Sequence, residues 1–339
     1  MKIGVVGDIH WSKSSSIVRS RGEKYSTRLE NCIKSVNWAE KIIEQSGCDL
    51  VVYLGDFFDS NFIVAEELSA LNEIKWNKLN HKFIIGNHEM VLNDLSFSSG
   101  HVFNLCENSE VIDKPINKII NGVNICFIPY ILESNRNEFS FYVNNKNSIV
   151  FSHNDIKGIQ LGKIVSMSGF EISEISDGCR LFINGHIHNG SQISNNIINL
   201  GNLTGQNFSE DALKYKHRIA IIDTDTLNID YINNPYAFNF VKYDSEIDSV
   251  DKIKNDFNNI GNIVCTIKLN EAEKESYNFI IENTIANRFI IKPEIIHNDS
   301  NKKAYESLSV NHLEKFKEYI LNELGNSESV IDELAHITN

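Results

Sequence analysis

Five short apolar segments near the start of the chain each end at a small turn and lead into a polar side chain of the kind that binds metals. The segments are residues 3–6, 50–54, 83–85, 149–151 and 181–183. The polar side chains that follow them are Asp8, Asp56, Asn87, His153 and His186. Short apolar runs bounded by turn residues are typical of buried strands. The pattern therefore predicts a sheet structure with polar side chains at five strand ends.

Helices are predicted between the first strands. Residues 28–45 place apolar side chains near a period of 3.6 residues, and a second helix is predicted over residues 63–79. Strand–helix–strand spacing of this kind is typical of parallel strands joined by right-handed crossovers. Ligands of open α/β sheets bind beyond the carboxyl ends of the strands, where the five polar residues fall.

From about residue 116 the pattern changes to hairpins. Residues 118–120 and 123–128 flank Asn121-Gly122, which is a strong two-residue turn signal. Residues 191–194 and 197–200 are predicted as a second hairpin, and residues 218–223 as one more strand. A second sheet packed on the first predicts an α/β fold, a four-layer α/β/β/α sandwich.

The chain is predicted to have three parts. The segment 233–235 marks a boundary, so that residues 1–235 form the sandwich, 236–298 a small α+β capping domain and 299–339 a helical tail. In the capping domain, strands are expected at 238–243, 262–269 and 289–296, with helices at 251–258 and 271–287.

Composition excludes several classes of protein. With 42% hydrophobic residues the chain of 339 residues is expected to be globular, and its net charge of -13 argues against coating nucleic acid by overall basicity. The six cysteines are scattered without a CxxC pair, which favours reduced, mostly buried thiols over a zinc site or disulfides. No apolar stretch is long enough for a signal peptide or a membrane span, so a cytoplasmic protein without membrane association is expected.

The polar residues at the strand ends suit a two-metal site. Asp8-Ile9-His10 and His186-Ile187-His188 each place two donors on the same side of an extended segment. Two divalent cations about 3.5–4 Å apart bind the attacking and leaving oxygens of a phosphoryl displacement and can lower the pKa of water from about 15.7 toward about 7. Carboxylate, amide and imidazole donors without thiolate favour manganese, iron or zinc over calcium, and manganese is the expected metal.

Each of these residues has a structural alternative when it is taken singly. Asp8 or Asn87 after a strand is more often a turn residue or helix cap, and a lone His153 is more often a structural histidine. Seven such residues at five corresponding strand ends are hard to attribute to turns. The predicted ligands of the whole set are Asp8, His10, Asp56, Asn87, His153, His186 and His188.

The order of these motifs resembles the calcineurin-like metallophosphoesterase superfamily. The matching motifs are Asp8-x-His10, Gly55-Asp56-x-x-Asp59, Gly86-Asn87-His88-Glu89, His153 and Gly185-His186-x-His188. The resemblance implies a first metal held by Asp8, His10, Asp56 and His188, and a second held by Asp56, Asn87, His153 and His186. It also implies that Asp56 bridges the two metals, and that His88 stabilises charge or protonates the leaving oxygen.

Three segments resemble one branch of this superfamily, which comprises the SbcD nuclease and phage recombination nucleases. These segments are Gly55-Asp56-Phe57-Phe58-Asp59, Phe127-Ile128-Pro129-Tyr130, and residues 200–204 followed by Phe208-Ser209-Glu210. The resemblance implies a DNA exonuclease or endonuclease acting in repair, recombination or replication. It also implies an SbcC-like coiled-coil ATPase partner, and it allows a homodimer.

The alternative function is a small-molecule phosphodiesterase, or a protein or phosphomonoester phosphatase, of the same superfamily. Glu89 favours it, because Gly-Asn-His-Glu also occurs in Ser/Thr protein phosphatases. Against it, Asp59 is followed by Ser60-Asn61 where those enzymes have Arg-Gly, and His153 lacks their Gly-Gly. A third hypothesis, a metal-free scaffold for protein binding, is disfavoured because every proposed ligand is present.

Two further segments have open interpretations. Arg19, Arg21, Lys24 and Arg28 form a locally basic stretch that is predicted to hold DNA phosphates, and a solvated loop explains it equally well. In the tail, Leu313, Phe316, Ile320 and Leu324 form an apolar stripe at helical spacing. That stripe suits a partner coiled coil, and packing on its own domain explains it as well.

Overall fold

The computed structural model describes residues 1–15, 23–138, 145–161, 164–270 and 290–296. The predicted helix at 271–287, the predicted helical tail, and Arg19 and Arg21 of the basic stretch lie outside these residues. The strands of the described part are β1 (Lys2–Val6), β2 (Leu50–Tyr53), β3 (Asn80–Ile84), β4 (Met90–Val91), β5 (Asp94–Ser98), β6 (Ser109–Ile112), β7 (Ile116–Ile120), β8 (Val123–Ile128), β9 (Ile149–Ser152), β10 (Gln160–Leu161), β11 (Ile164–Val165), β12 (Leu181–Asn184), β13 (Ser191–Ser194), β14 (Ile197–Asn199), β15 (Arg218–Asp223), β16 (Ile229–Asn233), β17 (Asn239–Asp244), β18 (Ile263–Asn270) and β19 (Ile290–Ile296).

Within the described residues, four α-helices accompany the strands. They are α1 (Thr27–Gln45), α2 (Ala65–Leu71), α3 (Ile172–Gly178) and α4 (Val250–Asn259). Helix α1 begins where Ser26 accepts a hydrogen bond from the backbone N–H of Leu29, which satisfies one of the free donors of the first turn. Short 3-10 helices cover Ser99–Leu105 and Glu133–Glu138.

The first large sheet has the order β16-β15-β1-β2-β3-β6. Strands β1, β2, β3 and β6 are parallel, whereas β15 and β16 run antiparallel at one side. The parallel strands therefore present their carboxyl ends at one edge. Helix α1 lies on the outer face of this sheet, where Leu29, Val36 and Ile43 pack against Tyr53 and Phe83 in one apolar cluster.

The second large sheet has the order β13-β14-β12-β9-β8-β7. Strands β14, β12, β9 and β8 are parallel, and hairpins add β13 and β7 at the two sides. The β7–β8 turn has left-handed backbone at Asn121 (φ 49°) and Gly122 (φ 79°). This is the conformation that an Asn-Gly hairpin requires, and the predicted hairpin is confirmed.

The two sheets pack face to face on a shared apolar layer. Ile3 and Val5 of the first sheet belong to the same cluster as Phe127, Phe151 and Ile183 of the second. Helix α3 covers the outer face of the second sheet, as α1 covers that of the first. The predicted four-layer α/β/β/α sandwich is confirmed.

The second predicted helix is shorter than the sequence indicated. Helix α2 covers only the first part of residues 63–79, and the following segment is bound to α1 instead. Asn37 Oδ1 accepts the backbone N–H of Lys75 at 2.6 Å, and Glu40 Oε2 accepts that of Asn77 at 3.1 Å. These backbone donors are lost to the helix because side chains of a neighbouring helix bind them.

A third sheet lies after the predicted boundary. It has the order β17-β18-β19, all parallel, and α4 packs on it through Ile253. The strand, helix and strand predicted at 238–243, 251–258 and 262–269 are confirmed, and so is the strand at 289–296. The division into three domains stays a prediction.

The chemistry expected of the cysteines is also found. All six are free thiols, and all but Cys106 are buried. Among the helices of the described segments, none is long and apolar enough to cross a membrane.

Candidate metal centre

The seven predicted ligands converge at the carboxyl ends of strands from both large sheets. The residues that follow β1, β2 and β3 come from the first sheet, and those that follow β9 and β12 from the second. The side chains form three groups, and within each group the potential ligand atoms lie within 4.8 Å of one another. The groups are Asp8/His10/His188, His10/Asp56/His88 and Asp56/His153/His186. Asp56 is a member of two of these groups, which is the position that a bridging carboxylate needs.

Two imidazoles from opposite sheets meet at the first group. The Nε2 atoms of His10 and His188 lie 2.9 Å apart. The Nδ1 atom of His10 lies 3.0 Å from Asp59 Oδ1, and that of His188 lies 3.1 Å from Glu210 Oε1. A carboxylate on Nδ1 keeps a proton on that nitrogen, so Nε2 of both rings is the atom that faces the shared space and is available to a metal.

His153 is oriented in the same way by a backbone group. Its Nδ1 donates to the carbonyl oxygen of Leu54 at 2.8 Å. Its Nε2 lies 3.1 Å from Asp56 Oδ2 and 3.2 Å from Asn87 Oδ1. Three donors of different chemical type therefore surround one point.

His186 is turned the other way round. Its Nε2 lies 3.2 Å from Asp155 Oδ1, and its Nδ1 lies 3.0 Å from Asn87 Oδ1. With the Nε2 proton held by Asp155, the lone pair on Nδ1 faces the second group. Each of the four histidines thus has one nitrogen bound to an orienting oxygen and the other directed at the centre.

Asp8 supplies the clearest evidence that the centre suits a cation. Its Oδ1 accepts the backbone N–H of His186 at 3.2 Å. Its Oδ2 is buried without a hydrogen-bond partner in the described part of the chain. A buried carboxylate oxygen without a partner is costly, and a bound cation is a normal way to satisfy it. The donor set fits divalent metal ions.

The electrostatics of the centre are set by burial and by opposite charges in contact. Burial would lower the pKa of His153, but the carboxylates of Asp56 and Asp8 outweigh it and raise the pKa to about 9. Burial works against the charge of Asp56, yet His153 and His10 hold the pKa of this carboxyl below its usual value. In the absence of metal, protons on imidazole provide the positive charge that the carboxylates demand.

Three of the ligands sit on left-handed backbone. The φ angles are 51° at His10, 47° at Asp56 and 70° at His186. Such conformations cost free energy in residues other than glycine and concentrate at functional sites. Gly86 has a related role, because a Cβ atom there would lie 2.1 Å from Asp56 Oδ1. Only glycine allows the turn after β3 to approach the Asp56 carboxylate so closely.

His88 differs from the ligands in its exposure. Its side chain is 41% exposed, and its ring centroid lies 4.8 Å from that of His10. Its backbone N–H donates to Asp56 Oδ1 at 2.9 Å, and its Nδ1 lies 3.1 Å from the carbonyl oxygen of Asp59. The ring therefore lies beside the centre on the side that faces solvent, where a substrate would approach.

Comparison with known proteins identifies the family. The family model described as calcineurin-like phosphoesterase matches residues 1–190, which is more than half of the chain. The chain belongs to the calcineurin-like phosphoesterase family. It is accordingly a metal-dependent phosphoesterase, and members of this family typically bind two divalent metal ions.

Two solved structures align with most of the phosphoesterase chain at low sequence identity. A structure reported as a novel archaeal phosphodiesterase aligns with 69% of this chain and 99% of its own, at 14% identity and a TM-score of 0.34. The protein TT1561 of Thermus thermophilus aligns with 68% of this chain and 98% of its own, at 9% identity and a TM-score of 0.42. No curated protein matches the chain significantly.

Several residues that orient the ligands of the phosphoesterase were not predicted for that role. They are Asp59, Asp155 and Glu210, which bind the ring nitrogens of His10, His186 and His188. Asp59 and Glu210 lie in motifs that the sequence analysis singled out, and Asp155 follows His153 by two positions. Their place in these motifs was a signal, but their partners are distant in sequence and could not be read from it.

Glu89 is also placed for a supporting role. It is buried and accepts the backbone N–H groups of Gly86 at 2.8 Å and Phe58 at 3.2 Å. Burial and the nearby Asp56 raise the pKa of this carboxyl to about 8. Its two acceptor bonds join the turns after β2 and β3, which both carry ligands.

Two of the predicted DNA-contacting residues, Lys24 and Arg28, lie in the described part of the chain and differ in exposure. Arg28 is only 1% exposed, and its guanidinium donates to the carbonyl oxygens of Gly205 at 2.8 Å and Ile9 at 2.9 Å. The prediction that Arg28 contacts DNA is wrong, because the side chain is buried and its guanidinium is hydrogen-bonded to backbone carbonyl oxygens. Lys24 is exposed, and its ammonium group is paired with Glu73.

Proposed function

We propose that the phosphoesterase is an SbcD-like DNA nuclease that hydrolyses phosphodiester bonds with two divalent metal ions, of which manganese is the expected one. The site residues proposed to hold the metals are Asp8, His10, Asp56, Asn87, His153, His186 and His188. The proposed acid or charge stabiliser is His88, which faces solvent beside them.

The observation that carries the proposal is a cavity beside the centre. It has a volume of about 610 Å³ and is lined by Tyr130, Leu95 and Lys114. Tyr130 also faces the centre, since its ring centroid lies 5.5 Å from that of His186. A phosphomonoester carries an organic group on only one ester oxygen, whereas a phosphodiester inside a longer chain must place nucleotides on both sides of the phosphate next to the metals.

The residues of the nuclease-like segments support the same interpretation. Asp59 of the Gly55–Asp59 motif orients His10, and Glu210 of the Phe-Ser-Glu motif orients His188. Tyr130, the last residue of the Pro-Tyr segment, lies near His186 and also lines the cavity. All three segments that resemble the nuclease branch therefore have side chains at this one centre.

The chain itself would contribute position and proton transfer. Bound metals would supply positive charge at the phosphate and ionised water at neutral pH. The carboxylates and imidazoles fix where the phosphorus can lie, because their orienting partners are buried or hydrogen-bonded. His88 has a side chain that is 41% exposed, and it could donate a proton to the leaving oxygen.

The proposal includes the partners that the resemblance implies. They are DNA, an SbcC-like coiled-coil ATPase and, for the nuclease itself, a second copy. The tail stripe Leu313, Phe316, Ile320 and Leu324 is the proposed ATPase contact. Deleting residues 302–339 should abolish ATP-stimulated digestion of long duplex DNA while cleavage of short single strands continues. A truncated protein that unfolds would favour packing of the stripe on its own domain.

The decisive experiment compares substrates. Purified protein with manganese is assayed on linear duplex DNA, single-stranded DNA and a chromogenic phosphomonoester. We expect DNA cleavage to exceed phosphomonoester turnover by far. Efficient turnover of the phosphomonoester or of a small cyclic or dinucleotide phosphodiester, without DNA cleavage, would overturn the nuclease proposal and leave a phosphatase or small-molecule phosphodiesterase.

Salt dependence adds a second test. Binding of DNA should weaken by roughly 0.7–0.9 log unit for each phosphate contact per tenfold increase in salt. Neutralising Arg19 and Arg21 should flatten this slope, whereas the matched pair Lys146→Gln and Lys242→Gln, both exposed and outside the basic stretch, should not. A slope unchanged by the arginine pair would exclude these two residues from the DNA contact.

A further inference from the structure

A second cavity lies on the outer face of helix α1, away from the metal centre. It has a volume of about 620 Å³ and is bounded by α1, by the segment 75–78 and by Tyr236. The residues that line it from α1 are spaced for one helix face, as Lys34, Trp38 and Lys41 show. We call this cavity the α1 groove.

Hydrogen bonds join the walls of the α1 groove. Asn37 of α1 accepts the backbone N–H of Lys75 and donates its side-chain amide to the carbonyl oxygen of Glu73 at 3.0 Å. The third wall is tied to the same helix, because the Asn31 amide donates to the carbonyl oxygen of Tyr236. The groove is therefore a fixed feature of the fold.

The groove is basic in a protein that is acidic overall. Four exposed lysines line it, although the whole chain has a net charge of -13. They are Lys34, Lys41, Lys75 and Lys78. None of them forms an ion pair with another residue in the described segments. Four neighbouring ammonium groups repel one another unless a polyanion is bound, and such a patch is the electrostatic signature of nucleic-acid binding.

The acidic side chains of the groove do not cancel this charge. Glu40 is buried, and its carboxylate accepts hydrogen bonds from Tyr53 at 2.5 Å and from His81 at 3.0 Å. Its second oxygen also accepts the backbone N–H of Asn77. Glu44 is the one exposed carboxylate among the residues that line this groove.

Aromatic rings stand among the lysines. Tyr236 is 41% exposed, while Trp38 and Trp76 are partly exposed and pack with their inner edges on the core beneath α1. Rings held in this way are rigid platforms with an accessible edge or face. Single-stranded nucleic acids bind to such combinations, because bases stack on aromatic rings while cations follow the phosphate backbone.

We propose that the α1 groove binds a single strand of nucleic acid by stacking bases on Trp38, Trp76 and Tyr236 and by contacting phosphates with the four lysines. The site is distinct from the metal centre. Arg28, which touches the backbone next to His10, precedes Lys41 by 13 residues, or about 20 Å of helix. The proposal does not depend on the proposed nuclease activity, because the groove shares no residue with the centre.

The three tryptophans of the chain provide a direct readout. Two of them line the groove, and the third, Trp11, is buried with its indole N–H bonded to the carbonyl oxygen of Glu67. The full-length protein with its bound metal is titrated with a phosphorothioate oligothymidylate while tryptophan fluorescence is recorded. The integrity of the oligonucleotide is checked on a gel. We expect saturable quenching that weakens with salt.

Charge-reversal variants locate the binding. Lys41→Glu with Lys78→Glu should weaken binding at least tenfold and lower the salt slope by roughly 1.4, which is about 0.7 for each of the two phosphates that the variant no longer binds. Tyr236→Ala should weaken it about fivefold or more through lost stacking. The matched control is Lys146→Glu with Lys242→Glu, which has the same change in net charge on exposed lysines elsewhere. The control should bind like the wild type.

The outcomes separate this proposal from its rivals. Equal affinity of the groove variant and the control variant would overturn it. So would equal binding of heparin, a polyanion without bases, or of thymidine monophosphate alone, which would indicate a general anion site or a free-nucleotide site. Loss of strand binding in the groove variant with unchanged phosphoesterase turnover of a small substrate would support it. Failure of the DNA cleavage assay alone would concern the proposed nuclease and leave the groove unaffected.

Discussion

The Nε2 atoms of His10 and His188 lie 2.9 Å apart, although the two residues are separated by 178 positions in the sequence. Asp59 and Glu210 bind Nδ1 of the two rings, so each Nε2 is directed at its counterpart. A proton shared by the two nitrogens is compatible with this distance, and a cation that binds both nitrogens would displace that proton. We therefore expect bound metal to contribute to the stability of the folded chain as well as to its chemistry.

Chelation should accordingly lower the thermal stability. At a metal concentration of 100 times Kd, loss of one bound metal costs about 2.7 kcal/mol. For a chain of 339 residues this corresponds to a fall in the melting temperature of roughly 4 °C for each metal lost, which we expect on treatment with excess chelator. Differential scanning calorimetry checks this, with metal-saturated chelator as the control. An unchanged melting temperature would contradict the metal assignment.

Asp56→Asn should abolish activity and lower the metal content of both sites. Asp56 lies in reach of His10 on one side and of His153 and His186 on the other, and an amide cannot bridge two cations as a carboxylate does. Elemental analysis and a turnover assay test the variant together. Two full equivalents of metal with unimpaired turnover would rule out the bridging role.

His88→Gln should keep the metals and lose rate. An acid or charge stabiliser of this kind typically contributes about 10²–10⁴-fold, so the variant should be slower by that factor. Metal content is measured on the same preparation. If His88→Gln emptied the centre, His88 would have to be reassigned as a ligand, which its proximity to His10 and Asp56 makes a meaningful test.

Glu210→Gln should weaken metal binding by about 10–100-fold, because the carboxylate that orients His188 is replaced by a neutral amide. Competition with a fluorescent chelator measures the affinity. Glu171→Gln, at an exposed carboxylate paired with Lys157, is the matched control and should bind metal normally. Equal affinities of the two variants would show that Glu210 does not act through His188.

Arg28→Met should destabilise the fold by at least about 2 kcal/mol, because buried carbonyl oxygens lose a charged donor. Lys24→Met is the control. The side chain of Lys24 is 67% exposed, and its loss should leave the free energy of unfolding close to that of the wild type. Urea unfolding measures both. An Arg28 variant of normal stability with weaker DNA binding would restore the original prediction for this residue.

The strands were predictable because their evidence is local. An apolar run and a turn residue lie within a few positions of each other, and the parallel order then brings the strand ends to one edge. For the same reason the polar residues Asp8, Asp56, Asn87, His153 and His186 could be selected in advance. The chemistry of each turn is readable from its own sequence.

The features that the sequence did not predict correctly depend on contacts between segments that are distant in sequence. Helix α2 is short because Asn37 and Glu40 of another helix bind the backbone that would have continued it. Arg28 is buried because the carbonyl oxygens of Ile9 and Gly205 face it, and a basic stretch in sequence contains no information about them. The roles of Glu210 and Asp155 were hidden in the same way.

The ligands are divided between the two packed sheets, and this division makes the metal centre sensitive to how the sheets lie on each other. A slide of one sheet would change the distance from His10 to His188 and from Asp56 to His153, while distances within each sheet would stay the same. The packing of the apolar layer of Ile3, Phe127 and their neighbours thus determines the distances between ligands on different sheets. A substitution in that layer, without contact to any ligand, would therefore change the distances between the ligands and lower the activity of the enzyme.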